Sequence, residues 1–360
     1  MGRLFRSSFQ HLYDVERRRI PNPPDVTLRL NRLERAEPVG NEVLEAIWGS
    51  MPPEMLQRYP DYVPFYEKLS NFVGVPKERI VVGAGIEDFI RTLYLLCCDP
   101  GERVMILWPT CAMFEVYAKV FNINLDCIVT DPYGPPTIDM LINALSDETR
   151  LALIANPGQP VETLYSVDEM RELAKACRDN DTVLAVDEAY HGFGAPTALP
   201  LVDEFDNVLI LRTFSKAYGA ASIRVGFAVG QEKVIKPLDA IRESGEVTGP
   251  SMWAAGVLMD DYDWFVLPYV ASTCIGREWL RNHVAGELNL PVWGSHANHV
   301  LIDVGAVRRD EVVAKLFKAG VAVRGGFEAP LAGCILVTCG PVKTMQLFFD
   351  VFAHVMRGAQ

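Results

Sequence analysis

Long apolar runs are missing from this 360-residue sequence, and none approaches the roughly 18 residues of a membrane-spanning helix. The opening stretch, MGRLFRSSFQHLYDVERRRIPNPP, is mixed and charged, with no apolar core of signal-peptide length. Internal repeats and low-complexity linkers are also missing, which excludes solenoids and flexible arrays. Histidine is scarce, at six residues; His296 and His299 form an HxxH pair without an evident third ligand, so no metal site is expected. The eight cysteines (97, 98, 111, 127, 177, 274, 334 and 339) show no paired metal spacing, and several sit in apolar runs such as LYLLCCDP. They are expected to be reduced, mostly buried thiols of a cytoplasmic protein. Excess positive charge is lacking too. With 34 basic and 46 acidic side chains the net charge is −12, which argues against nucleic acid or an anionic membrane as the main partner.

What is present is an ordinary globular composition, 49% hydrophobic and 22% charged, on a chain long enough for one large domain and a smaller one. Apolar β-like runs at 79–85, 102–109, 125–132, 150–157, 182–190, 207–214 and 224–230 alternate with segments of helical spacing. IEDFIRTLYLLCC, AMFEVYAKVFN and SVDEMRELAKACRDN are the clearest helices, and Ser166 and Glu169 form a capping box before the last. This alternation predicts an α/β fold: a large domain with a mostly parallel sheet flanked by helices. After about residue 250 the texture changes to a long helical region, short strands and a final helix, as in a smaller α+β domain. The expected division is an N-terminal arm over 1–40 packing with the small domain, a large domain over 41–250 and the small domain over 251–360.

The chemistry concentrates at strand ends, where open α/β sheets place their sites. TFSKAYGAASIRVG (213–226) sets Lys216 among small residues and hydroxyls, with Arg224 eight positions on. A lysine so placed is a candidate desolvated amine, and Thr213, Ser215 and Arg224 can bind an anion, so the stretch suggests a covalently held, phosphorylated cofactor. Asp187 ends TVLAVDEAY, where a carboxylate after apolar residues needs a partner. Asn156 ends another strand, in NPGQPVE. Gly85, Ile86 and Glu87 follow a strand and open a helix, as an anion-binding helix N-terminus would.

Taken in order, these motifs resemble the fold-type I pyridoxal-phosphate (PLP) enzymes, closest to the histidinol-phosphate aminotransferase branch of the class I/II aminotransferases. The likeness runs from LRLNRLERAEP (28–38) to GCILVTCG (333–340). It implies an aspartate-aminotransferase-like fold and pyridoxal 5'-phosphate as cofactor. Lys216 would be the Schiff-base lysine and proton carrier. Asp187 would pair with the pyridine nitrogen, while Asn156 and Tyr190 would donate to the ring hydroxyl. Thr213, Ser215, Arg224 and the backbone N–H groups of Gly85, Ile86 and Glu87 would hold the phosphate. Tyr59, in RYPDY, matches a tyrosine that reaches the neighbouring subunit's cofactor, which implies a homodimer with shared sites.

Departures from the pattern concern the substrate side. Cys111 stands where an aromatic residue stacks on the pyridine, so Phe114 or Trp108 are candidates to pack the ring instead. Leu336 occupies the place of the arginine that clamps an α-carboxylate, whereas Arg324, Asn298 and Glu34 match substrate-facing positions. Arg32 and Arg35 are additions that could supply a displaced carboxylate contact or lie in solvent. Glu162 replaces a usual glycine and reads as a solvent-facing carboxylate or a new acid/base group. The expected function is a PLP-dependent aminotransferase acting on a small anionic amino compound. A PLP-dependent decarboxylase or an elimination/cyclisation lyase is the alternative, and a non-catalytic PLP-binding protein a minor one.

Overall fold

Strands with apolar residues at successive positions need cover on both faces, and the computed structural model provides it. The structure describes Leu12, Val15, residues 26–243 and residues 245–358. After a two-residue strand β1 (Leu28–Arg29), the seven expected strands appear as β2 (Ile80–Gly83), β3 (Arg103–Trp108), β4 (Asn124–Val129), β5 (Thr149–Ala155), β6 (Val183–Asp187), β7 (Val208–Thr213) and β8 (Gly226–Gly230). They form one sheet of order β2-β8-β7-β6-β5-β3-β4. β7, β6, β5, β3 and β4 run parallel, and β8 is antiparallel to both of its neighbours.

Successive residues enter opposite cores. Val82, Leu184, Val186 and Ile210 face one side of the sheet, and Val81, Ala185, Leu209 and Leu211 the other. β4 lies at the edge, and accordingly its residues are partly exposed. Helices Ile86–Cys97, Ala112–Phe121 and Val167–Asp179 fall where their apolar spacing predicts. The capping box forms: Ser166 Oγ accepts from the Glu169 N–H, and the Glu169 carboxylate accepts from the Ser166 N–H at 2.7 Å. Strand order reverses about β3, because β4 lies on one side of it and β5 on the other. A crevice therefore opens beyond the carboxyl ends of these strands.

The C-terminal half adds β9 (Val292–Trp293), β10 (His299–Asp303), β11 (Val321–Ala322) and β12 (Cys334–Thr338). β9 and β12 flank β10, both antiparallel. One face of this sheet, with Val300, Ile302, Ile335 and Val337, packs on helices Leu267–Leu288 and Val342–Arg357 through Leu280, Val284, Phe348 and Phe352. From the other face, Leu301 and Leu336 meet Tyr190 and Phe193 of the large sheet's loops. β1 pairs in parallel with β11, and Leu30 is buried in the small core. Of the segment expected to form the arm, Leu28 and Ala36 also pack against this core, whereas Val39 packs with Ala254 and Leu258; residues 1–25, apart from Leu12 and Val15, lie outside the described residues. Helix Gly249–Asp260 straddles residue 250, and its Met252, Ala255 and Met259 join the core of the large sheet.

Candidate functional site

A cavity of about 500 Å³ opens at the carboxyl ends of β3, β5, β6 and β7. Lys216 stands in the turn after β7, and its Nζ donates to the Leu33 carbonyl at 2.9 Å. That carbonyl is aimed by a left-handed backbone at Leu33 (φ 58°) and by the Leu33 N–H, which donates to Thr338 Oγ1 at 2.9 Å. Burial pushes the Lys216 amine down to about 8, although Cys111, Glu34 and Asp187 favour its charge. A lysine of this kind is partly neutral near pH 7 and can act as a nucleophile.

Asp187 ends β6 and is buried, 8% exposed. Its Oδ1 accepts from the Ala189 N–H at 2.9 Å. Burial raises its carboxyl to about 6, against the opposing pull of that hydrogen bond and of Lys216. Such a carboxylate is stabilised by any cation brought in above it. Tyr190 is on the same wall, and burial followed by the nearby Asp187 charge drives its phenol well above the usual range.

An anion-binding corner lies at the entrance to helix Ile86–Cys97. No side chain caps this helix start, and Gly85 enters it at φ 83°. A Cβ on Gly85 would come within 2.9 Å of Arg224 Nη2. The Gly85 N–H is turned away to the Gly83 carbonyl at 2.8 Å, which leaves Ile86 and Glu87 on the wall. Opposite, Thr213 Oγ1 donates to Ser215 Oγ at 2.9 Å, and Arg224 bonds the carbonyls of Ala221 and Ala84 at 3.2 and 3.3 Å.

Cys111, Arg324 and Glu34 also line the cavity, with Glu34 paired to Arg29 at 3.0 Å. Other expected residues lie outside it. Asn156 is 2% exposed behind the wall; its amide exchanges two hydrogen bonds with the Tyr165 backbone, at 2.9 and 3.0 Å. Asn298 is buried too, and its Nδ2 donates to the Leu33 carbonyl that Lys216 also uses, at 3.1 Å. Tyr59 is 95% exposed and away from the cavity. Neither substitute for the missing aromatic faces the cavity. Phe114 is packed in the core, and Trp108 turns its Nε1 to Glu115 at 3.2 Å.

One expectation is corrected outright. Glu162 does not face solvent, and it is not on the cavity lining. Its buried carboxylate accepts from the backbone N–H groups of Ser295 and His296 and from Ser295 Oγ, at 2.8–2.9 Å. Burial pushes its carboxyl up, but these donors outweigh that and hold it below the usual range. The two added arginines separate: Arg32 lines the cavity, while Arg35 pairs with Glu37 at 3.2 Å and lies over the Tyr269 ring at 4.4 Å. His296 meets Glu162, and among the described residues no cluster could hold a metal ion. The residue that sequence reasoning missed is Leu33. Nothing in its type marks it, since its role belongs to its carbonyl. A larger open groove of about 670 Å³, near Tyr62, Tyr66 and Arg242, contains none of the expected residues.

The family model described as aminotransferase class I and II matches residues 41–352. Histidinol-phosphate aminotransferase 1 of Trichormus variabilis is 27% identical over 99% of this chain and 100% of its own. A histidinol-phosphate aminotransferase of Chlorobium luteolum is 29% identical over 92% of this chain and 93% of its own. Among solved structures, histidinol-phosphate aminotransferase from Sinorhizobium meliloti, in complex with pyridoxal-5'-phosphate, superposes with a TM-score of 0.87 at 23% identity, covering 100% of both chains. Aspartate aminotransferase from Thermus thermophilus with maleate gives 0.78 at 20%, covering 92% of both; these two likenesses show the fold. The chain belongs to the class I and II aminotransferases and is a PLP-dependent transferase. The residues present suit that cofactor: a desolvated amine, a buried carboxylate awaiting a cation, and an uncapped helix start beside Arg224 surround one cavity.

Proposed function

We propose that this aminotransferase moves the amino group of a small anionic amino compound, and that histidinol phosphate is the first candidate, since relatives over nearly the whole chain carry that activity in their names. The observation that carries the reading is Lys216, a depressed amine at the strand ends, with Asp187 beside it and Arg324 lining the same cavity. When bound, PLP supplies an electron sink for the pair left on the amine-bearing carbon. Lys216 Nζ would hold the cofactor's aldehyde carbon at rest and, once the substrate amine has displaced it there, would be free to take and return the proton at the substrate carbon that bears nitrogen. Asp187 would accept from the pyridine N–H and keep that proton in place. Thr213, Ser215, Arg224 and the start of helix Ile86–Cys97 take the phosphate.

Tyr190 would donate to the ring hydroxyl from the wall, with Asn156 supporting that edge from behind, and Cys111, also on the lining, would be the group offered to the ring face. Arg324 and Glu34 face the substrate, and Asn298 orients the Leu33 carbonyl from behind. The exposure of Tyr59 supports a homodimer in which it serves the second copy's site. The packing of Met252 and Met259 supports a domain boundary nearer Asp260 than residue 250. All eight cysteines are free thiols, which supports a cytoplasmic setting; among the described residues no helix is long and apolar enough to cross a membrane.

The test is amino-group bookkeeping by mass spectrometry, with ¹⁵N-labelled histidinol phosphate, phosphoserine, glutamate and alanine offered alongside 2-oxo acids and aldehydes. Label appearing in a new amine, one for one with amine lost, is the expected result. Release of CO₂ or ammonia without an oxo partner would overturn the transfer reading in favour of a lyase.

A further inference from the structure

Arg324 and Leu336 face each other across an antiparallel bridge, with Arg324 N–H to Leu336 O at 3.0 Å and Leu336 N–H to Arg324 O at 2.7 Å. Residues so paired send their side chains off the same face, with Cβ atoms about 5 Å apart. On its other side Leu336 pairs with Leu301, so one row across the face reads Arg324, Leu336, Leu301. Leu336 is 1% exposed and sealed among Leu33, Leu301, Leu331 and Tyr190. His299, two positions from Leu301, shares the face. Its ring lies edge-on to Tyr190 at 5.3 Å, and neither ring nitrogen has a hydrogen-bond partner among the described residues. Burial pushes His299 down to about 4, so it adds no charge at neutral pH.

The guanidinium groups of the cavity differ in what they already hold. Arg224 bonds two carbonyls. Arg32 is not without a partner. The Arg324 guanidinium has no hydrogen bond or ion pair among the described residues, and it lies 5.4 Å from the Phe327 ring centre. A part-buried guanidinium draws an anion, and one fork binds one carboxylate or phosphate in bidentate fashion. A second anion placed beside it would lie against Leu336 and Leu301, where desolvation is uncompensated.

We infer that the site recognises amino compounds through a single anionic group held by Arg324, and gives no anchorage to a carboxylate on the amine-bearing carbon. This rests on the proposed function and narrows its substrate class to amines that carry one anionic group, such as amino phosphates without a carboxyl group.

The test is equilibrium calorimetry on the PLP-loaded protein with phosphoethanolamine, phosphoserine and ethanolamine, compounds that differ only in carboxylate or phosphate. Phosphoethanolamine and phosphoserine should bind within about threefold of each other, and ethanolamine at least about tenfold more weakly, as loss of a charge-assisted pair requires. Arg324→Ala should abolish the phosphate advantage, and Arg324→Lys, which keeps the charge, should retain part of it. Leu336→Arg, with its fold checked by circular dichroism, should bring at least about a tenfold preference for phosphoserine. A wild-type preference of that size for phosphoserine overturns the inference, and its loss in Arg32→Ala would place the carboxylate anchor in the N-terminal segment. Unchanged phosphoethanolamine binding in Arg324→Ala also overturns it. Cofactor attachment is read separately by absorbance. Its failure in wild-type protein would sink the functional reading as well, so the two failures are distinguishable.

Discussion

The two walls of the cavity are built differently. The wall with Lys216, Asp187, Thr213 and Ser215 stands on the ends of β6 and β7, central strands buried on both faces. The opposite wall is assembled from the segment around Leu33, the Arg324–Leu336 bridge and the three-stranded sheet. On the first wall Lys216 and Asp187 each have a fixed hydrogen-bond partner. On the second, an arginine whose guanidinium has no polar partner among the described residues lies beside leucines. Rigid placement on a central sheet suits the invariant part of the chemistry, and a wall of loops and a small sheet suits the variable part.

The sharpest way to break this contrast is at Lys216. Lys216→Ala should lower amino transfer by at least about 10³-fold and abolish covalent cofactor retention on a desalting column. Residual turnover near the wild-type rate would show that another amine serves, and the first wall would lose its definition. Asp187→Asn should come next, with a fall of about 10²–10³-fold in kcat, since one charge-stabilising contact at a reacting system is removed. The matching change on the second wall, in Arg324, should act through substrate affinity while leaving cofactor retention intact. That split between kcat and affinity is what the comparison demands.

A pH measurement isolates the first wall alone. Because the Lys216 pKa is lowered to about 8, the neutral fraction falls as pH drops below that value. The rate of cofactor attachment to cofactor-free protein should therefore drop about tenfold per unit below pH 8 and level off above it. A break near 10 would mean that the amine is solvated. The sign for stability follows: the folded chain binds this proton less well than the unfolded chain, so stability contributed by Lys216 rises between about 8 and the ordinary lysine value.

The sequence made the first wall legible because its residues act through side chains at strand ends. Asp187, Lys216 and Arg224 stand in order along the chain, and the apolar strands before Asp187 and Lys216 are unmistakable. Leu33 was invisible, since a carbonyl carries no residue signature, and β1 and β9 are too short for any period to register. Glu162 was misjudged because its partners, Ser295 and His296, lie far along the chain. Nothing local tells a solvated carboxylate from one holding two segments together.

That contact sharpens the comparison in stability terms. Glu162 ties a loop of the first wall to the segment that leads into β10, and its removal leaves several buried donors unsatisfied. Glu162→Ala should cost about 2–3 kcal/mol in denaturant unfolding. Its carboxyl is held below the usual range, so its contribution is present at neutral pH and fades as pH falls through that depressed value. The difference between wild type and Glu162→Ala should accordingly shrink in acid. A difference that stayed constant with pH would show that the carboxylate charge does not hold the two segments.

The smallest expected effect tests whether the first wall is itself complete. Cys111 lines the cavity between Thr110 and the start of helix Ala112–Phe121, and burial pushes its thiol up, so at neutral pH it presents an uncharged sulfhydryl to the cavity. A thiol offers less contact area than a ring and no π face for a pyridine to stack on, and neither Phe114 nor Trp108 turns inward to compensate. Cys111→Tyr or Cys111→Phe should slow cofactor dissociation two- to tenfold, the equivalent of about 0.5–1.5 kcal/mol for an aromatic contact. The competing term is space, because a ring placed in a site packed around a thiol can clash and cost as much as it gives. The direction of the change separates the two. A clash would speed dissociation in both variants, whereas a missing stacking partner would slow it in both. Only the second result would leave the thiol as a gap in an otherwise finished wall.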